Sequence, residues 1–184
     1  MEDKQPLNEI RLFLNDENET ASLATQFASR LTATDSATET ASSGGHIYLR
    51  GDLGAGKTSF ARAFLRACGV SGRIKSPSYA LLESYKVSNL YFYHLDFYRF
   101  SDPREWIDAG FRDILQENAI VLIEWPEQAA GLLPLPDIEI SLEYADEGRN
   151  ARITAYSNKG QSWLSKITPT GPALRPKDLP AGDS

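Results

Sequence analysis

The strongest constraint on the fold is a glycine-rich segment at residues 51–58, Gly-Asp-Leu-Gly-Ala-Gly-Lys-Thr. It matches the pattern G-x-x-x-x-G-K-[ST] at every fixed position. The preceding residues, His-Ile-Tyr-Leu-Arg at 46–50, predict a strand. The residues that follow place apolar side chains at helical spacing as far as Gly69, where a helix is expected to end. This order of strand, loop and amphipathic helix predicts a phosphate-binding loop rather than a chance glycine-rich turn.

Such a loop binds phosphate through its backbone. Glycines let the chain curl until several N–H groups point inward, and the following helix adds the positive end of its dipole. We expect Lys57 to reach the β- and γ-phosphates and Thr58 to offer its hydroxyl to Mg²⁺, so ATP and Mg²⁺ are the predicted ligands. The predicted nucleotide-binding residues of the loop are Gly51, Asp52, Leu53, Gly54, Ala55, Gly56, Lys57, Thr58 and Ser59.

Two carboxylates are candidates to complete the site. Glu124 ends an apolar run at 119–124 that predicts a strand buried on both faces, and open α/β sheets bind ligands at such strand ends. Asp96 follows the apolar stretch 90–95 and is the second candidate; each acid is alternatively an ordinary strand-end residue. Trp125 either packs beside the nucleotide or fills an edge of the core, and His94 is interpreted as a structural histidine.

The remaining pattern predicts one folded unit. A strand at 9–14, a helix beginning at 16–18, hairpins at 79–95 and 138–156, and short helices at 104–109 and 161–167 are expected. Residues 32–45 are rich in Thr, Ala, Ser and Gly and predict a mobile low-complexity loop. Residues 168–184 carry several prolines and predict a disordered tail. We therefore expect a domain at 1–167 followed by a tail.

Composition restricts the partners. The formal net charge of −6 makes unaided binding to nucleic acid unfavourable, because that binding depends on Lys and Arg neutralising phosphates. No membrane span and no DNA partner are predicted, and the cytoplasm is the expected location. The single cysteine, Cys68, lies on the apolar face of the predicted helix and is interpreted as a packed thiol rather than a nucleophile.

Four segments together resemble the TsaE (YjeE) family of P-loop ATPases. They are the glycine-rich loop, Ser-Pro-Ser-Tyr at 76–79, His-Leu-Asp-Phe-Tyr-Arg at 94–99 and Ile-Glu-Trp-Pro-Glu at 123–127. Their order and spacing are similar to the family from about residue 23 to 164, and the last two segments are specific to it. The resemblance implies a single α/β P-loop NTPase-like domain with a mixed parallel and antiparallel sheet flanked by helices.

The resemblance also implies a function and residue roles. The family hydrolyses ATP and works with TsaB and TsaD to attach a threonylcarbamoyl group to N6 of an adenosine in tRNA, so tRNA is an indirect partner. Lys57 and Thr58 would bind phosphate and Mg²⁺, Glu124 would help hold the metal, and Asp96 would support hydrolysis. Ser78 stands where the family usually has Thr and would join the nucleotide site as part of a switch loop.

Two other functions fit a phosphate-binding loop. A small P-loop kinase would need an acceptor pocket and a lid carrying arginines, and Arg99 is a single candidate. A GTPase-like binding switch would show Asn-Lys-x-Asp, whereas residues 158–161 read Asn-Lys-Gly-Gln and are better explained as a turn. ATP turnover without an acceptor, acceptor phosphorylation and GTP preference distinguish the three.

Overall fold

A computed structural model of the protein describes residues 5–32 and 44–168. In these two ranges the chain forms one seven-stranded sheet and four α-helices. The strands are β1 (Asn8–Leu14), β2 (Gly45–Arg50), β3 (Leu82–Val87), β4 (Leu90–Asp96), β5 (Ala119–Glu124), β6 (Ile138–Ala145) and β7 (Gly148–Ala155). The helices are α1 (Glu17–Thr32), α2 (Lys57–Ala67), α3 (Glu105–Asp108) and α4 (Asn158–Leu164).

The sheet is mixed, as the sequence predicts. Its strand order is β1-β7-β6-β2-β5-β4-β3. The four central strands, β6, β2, β5 and β4, are parallel to one another, whereas β7 pairs antiparallel with β6, β1 with β7 and β3 with β4. The carboxyl ends of β2, β5 and β4 therefore meet at one edge of the sheet, the place where open α/β sheets bind ligands.

Two apolar cores cover the two faces of this sheet. Along β5 the side chains alternate, so that Ile120 and Leu122 join the core beneath α1 and α2, while Val121 and Ile123 face the second core. Every residue of β5 is buried, which explains its unbroken apolar run. The second core includes Trp106 of α3 and side chains that follow β4. Glu124 at the end of β5 is thus held between two packed layers.

Two element boundaries differ from the sequence expectation. The strand expected from Tyr79 begins at Leu82, because the chain turns first: the amide of Leu81 donates to Pro77 O at 2.7 Å and Leu81 has φ 64°. The segment interpreted as a turn at 158–161 opens α4 instead. The Ser157 hydroxyl caps that helix by accepting the Gly160 amide at 3.0 Å, a signal that the periodicity of apolar residues does not contain.

Other expectations concern segments outside the described residues. Thr32 is the last residue of α1 and Gly45 the first of β2, so the predicted mobile loop lies between them, largely at 33–43. The predicted tail lies at 169–184 apart from Thr168, whose amide donates to the side chain of Gln26 at 2.8 Å. Across the described ranges, no helix combines the length and the apolar content needed to cross a membrane.

Candidate nucleotide-binding site

The phosphate-binding loop connects β2 to α2 and turns through glycines with positive φ. Gly51 has φ 139° and Gly56 has φ 110°, conformations that residues with side chains rarely adopt. Within the loop, the amide of Ala55 donates to Asp52 O at 3.0 Å. Because α2 begins at Lys57, the N–H groups of its first turn have no partner within the helix and face the loop.

Lys57 is folded back onto the loop. Its ammonium donates to Gly51 O at 2.5 Å and to Asp52 O at 2.9 Å, and it lies 4.1 Å from the centre of the Trp125 ring. The side chain is only 4% exposed. Burial lowers the pKa of Lys57, and the carboxylate of Glu124 opposes that shift. The single cation of the loop is thus held against the loop by two of its carbonyl oxygens.

Thr58 and Glu124 meet at the carboxyl end of β5. The Thr58 hydroxyl donates to Glu124 Oε2 at 2.9 Å, and Glu124 is 2% exposed. Hydroxyl and carboxylate oxygens are the hard donors that Mg²⁺ takes, together with phosphates of the substrate. Among residues 5–32 and 44–168, no group of three or more His, Cys, Asp and Glu is arranged to hold a metal. The donor set fits an ion that shares its coordination with a nucleotide.

Asp96 lies beside Glu124 at the neighbouring strand end. The two residues are register partners on β4 and β5, and Asp96 is 4% exposed. Burial raises the pKa of Asp96; the amide of Tyr98, which donates to Asp96 Oδ1 at 2.9 Å, lowers it, and the Glu124 carboxylate raises it again. The structure thus brings the two predicted acids together in distinct environments.

Ser78 lines the same cleft as Asp96 and Glu124. Its hydroxyl lies 2.6 Å from the Ser76 hydroxyl, and its carbonyl accepts from Arg99 Nε at 2.8 Å. The Arg99 guanidinium also lies 4.3 Å from the centre of the Tyr79 ring. The segment that resembles a switch loop is therefore fixed by Arg99 to the residues that follow β4, and Arg99 itself does not line the cleft.

One cleft unites most of the predicted residues. It is lined by Leu53, Gly54, Gly56, Lys57, Thr58, Ser59, Ser78, Asp96, Tyr98, Glu124 and Trp125. Three predicted residues lie elsewhere: Gly51 and Asp52 line a separate depression beside β6, and Ala55 is buried in the core. Trp125 lines the cleft and also packs against the second core. Tyr98, whose ring centre lies 5.0 Å from that of Trp125, is a cleft residue that the sequence did not single out.

His94, interpreted from the sequence as a structural histidine, contacts a predicted site residue, which the sequence analysis did not anticipate. It is fully buried, and its Nε2 lies 2.7 Å from Glu124 Oε1. Its Nδ1 has no hydrogen-bond partner among the described residues. The histidine therefore contacts the carboxylate that is a candidate metal ligand, in addition to filling the core. The spacing was an available signal, because His94 and Asp96 are two residues apart and share one face of β4.

A solved structure shares this fold. Bacillus subtilis YdiB superimposes with a TM-score of 0.68, covering 86% of this chain and 93% of that chain at 24% sequence identity. The likeness supports the single α/β P-loop NTPase-like architecture with its mixed sheet.

Sequence comparisons identify the family. Residues 14–153 match the family model described as threonylcarbamoyl adenosine biosynthesis protein TsaE. The TsaE protein of Haemophilus influenzae is 43% identical over 122 residues, which cover 66% of this chain and 77% of the relative. The TsaE protein of Rickettsia felis is 38% identical over 167 residues, covering 90% and 91% of the two chains. The chain therefore belongs to the TsaE family.

Proposed function

We propose that the chain binds ATP with Mg²⁺ and hydrolyses it as a component of the machinery that forms threonylcarbamoyladenosine in tRNA. The observation that carries the proposal is the contact between Thr58 and Glu124 beside the Lys57 ammonium. A phosphate loop alone binds phosphate, whereas a hydroxyl and a buried carboxylate next to it supply the oxygen donors of a Mg²⁺–nucleotide site. The family relatives, named as tRNA threonylcarbamoyladenosine biosynthesis proteins, connect this site to tRNA modification.

The polar groups of the cleft divide three tasks between them: phosphate binding, metal binding and activation of water. The loop amides and Lys57 bind the phosphates, and Lys57 exchanges its contacts with two loop carbonyls for phosphate oxygens. Thr58 and Glu124 would hold Mg²⁺, and the ion would supply neutralising charge for the phosphates. Asp96 orients the attacking water and takes its proton. The raised pKa of Asp96 favours that role, because a base works best when its pKa approaches the working pH.

The protein alone is expected to turn over slowly. Among the described residues that line the cleft, Lys57 is the one cation, and no arginine is present. Arg99 is engaged with Ser78 and Tyr79. An arginine supplied by a partner raises the rate of P-loop enzymes by about 10³–10⁵. We propose that TsaB and TsaD activate the ATPase and bring the tRNA, since a net charge of −6 disfavours direct contact with a polyanion.

The test pairs steady-state ATPase with tRNA binding at physiological salt, for the protein alone and with TsaB and TsaD. Lys57→Ala is the inactive control. Slow turnover alone, faster turnover in the complex and tRNA binding only in the complex are expected. Fast turnover or tight tRNA binding by the protein alone would contradict the partner dependence. Phosphorylation of an added acceptor would instead support a kinase.

A further inference from the structure

The β6–β7 hairpin lies directly behind the phosphate-binding loop and donates two hydrogen bonds to it. The Tyr144 hydroxyl donates to Leu53 O at 3.0 Å, and Arg149 Nη1 donates to Ala55 O at 2.9 Å. Tyr144 and Arg149 are directly opposite each other across the hairpin, so their side chains leave the same face. One cross-strand pair thus meets two loop carbonyls that are two residues apart.

The strand pattern explains why these side chains reach the loop. Ile140, Leu142 and Tyr144 alternate along β6 and share a face. Ile140 and Leu142 are buried in the core beneath α1 and α2, and Tyr144, at 62% exposure, stands beyond the edge of that core. The face of the hairpin that contributes to the core shared with α2 therefore also contacts the loop that precedes α2.

The two hydrogen bonds fix the direction of two amide groups. In a planar trans peptide the C=O and the following N–H point in opposite directions. Holding Leu53 O outward therefore turns the Gly54 N–H toward the other side, and holding Ala55 O does the same for Gly56 N–H. Gly54 and Gly56 both line the nucleotide cleft. Each of these amides therefore points away from its hairpin contact, and both belong to residues that line the cleft.

The glycines leave room for these contacts. A Cβ at Gly54 would lie 2.5 Å from the Tyr144 hydroxyl oxygen, and a Cβ at Gly56 would collide with Arg149 Nη1. The hydroxyl and the guanidinium thus occupy the space that side chains would otherwise take. Replacing either glycine would displace the hairpin contact as well as strain the loop.

We propose that Tyr144 and Arg149 are positioning residues of the nucleotide site, which act through the loop carbonyls and set the phosphate-binding amides before ATP arrives. The proposal rests on the proposed ATP-binding function. It predicts that a change at the tip of the hairpin, outside the cleft, weakens nucleotide binding. The effect arises because a loop that is not held must be ordered when it binds, and this ordering reduces affinity.

The experiment removes the Tyr144 hydroxyl or the Arg149 guanidinium and compares each variant with the same substitution at another position. Tyr144→Phe removes one hydroxyl, and Arg149→Met removes the donor while keeping the stem. Tyr91→Phe removes another exposed tyrosine hydroxyl, and Arg152→Met removes an exposed arginine from the same strand, β7. ATP affinity in the presence of Mg²⁺ is measured by calorimetry, and amide hydrogen exchange is measured without nucleotide.

The two test variants are expected to change both readouts. The Kd for ATP should rise about fivefold in Tyr144→Phe and about 10–100-fold in Arg149→Met, in line with a neutral and a charged donor. Exchange should accelerate across residues 51–60 but stay unchanged in β5, which distinguishes local loop motion from general destabilisation. Arg149→Lys keeps an ammonium donor and should recover part of both losses. The two control variants should match the unmodified protein.

The outcomes distinguish a failure of the proposed ATP binding from a failure of the positioning role. An unmodified protein that fails to bind ATP removes the proposed function itself. If the unmodified protein binds ATP and both test variants bind it equally well, the positioning role is refuted. A weaker affinity without faster loop exchange would also refute it, because Arg149 would then act on phosphate only through its charge. If Arg149→Met does not fold, Tyr144→Phe decides, since it loses only an exposed hydroxyl.

Discussion

Replacing Lys57 by methionine should separate the stability of the protein from its ability to bind ATP. The substitution keeps an unbranched apolar stem and removes the ammonium. In the structure that ammonium contacts Gly51 O, Asp52 O and the Trp125 ring. The question is whether these contacts outweigh the cost of burying the charge.

The direction in which the pKa of Lys57 is shifted indicates whether the contacts or the cost of desolvation is larger. Hydrogen bonds to a charged group contribute about 1.5–3 kcal/mol each, whereas desolvating an ammonium costs several kcal/mol. Burial lowers the pKa of Lys57, so the folded protein binds this proton less tightly than the unfolded chain. The ammonium therefore contributes little net stability. We expect Lys57→Met to change the free energy of unfolding by less than about 1 kcal/mol.

The effect on ATP binding should be much larger. Two charge-assisted bonds to phosphate correspond to about 3–6 kcal/mol, or about 10²–10⁴ in Kd. Because the ammonium gives up its contacts with the two loop carbonyls, we expect the lower end of that range. Urea unfolding followed by circular dichroism gives the stability, and calorimetry with Mg²⁺ gives the affinity. Lys86→Met, at an exposed lysine on β3, is the matched control.

Two results would refute this reasoning. A loss of several kcal/mol in the free energy of unfolding would show that the Lys57 contacts outweigh its desolvation. An ATP affinity equal to that of the unmodified protein would show that the loop does not present Lys57 to phosphate.

Three further predictions concern other groups. Glu124→Gln should reduce Mg²⁺-dependent ATP turnover more than ATP binding, as measured by Mg²⁺ titration. If Asp96→Asn has the larger effect on metal dependence, Asp96 rather than Glu124 is the metal ligand. His94→Leu should weaken Mg²⁺ affinity about 10–100-fold and His94→Gln should recover part of it, whereas equal losses would argue against orientation of Glu124. Burial raises the pKa of Cys68 to about 12. Its contribution to the free energy of unfolding should therefore be complete below about pH 8.5 and decline as pH rises further, a slope that Cys68→Ala should remove.

The sequence predicted the elements whose signals are local. The path from β2 through the loop to α2 follows from fixed glycines and helical spacing, and the double-sided burial of β5 follows from its apolar run. The meeting of Thr58 with Glu124 was also predictable, because the carboxyl ends of neighbouring parallel strands share an edge. The first two inferences needed only the local pattern, whereas the meeting of Thr58 with Glu124 also requires β2 and β5 to be neighbours.

Most of the features that the sequence did not predict are contacts between elements that are distant along the chain. Tyr144 and Arg149 look like ordinary residues near a hairpin turn, and their contact with the loop requires β6 to lie beside β2. The role of His94 required the register between β4 and β5. The start of β3 was misplaced because β-forming residues were overridden by the turn at Pro77–Leu81. The contacts of Tyr144, Arg149 and His94 therefore depend on partners that are distant along the chain, whereas the start of β3 depends on a local turn.

The pairing of β1 with β7 has a consequence for how the protein is made. Asn8 is the register partner of Ala155, so β1 remains without its partner until β7, the last of the described strands, has been synthesised. Pairings so distant along the chain slow folding, and chains emerge from the amino-terminal end during synthesis. The glycine loop therefore leaves the ribosome before the hairpin that supports it. A nascent chain ending before β7 should be unable to use ATP to stabilise its first half, so the capacity to bind ligand should appear only when the sheet closes.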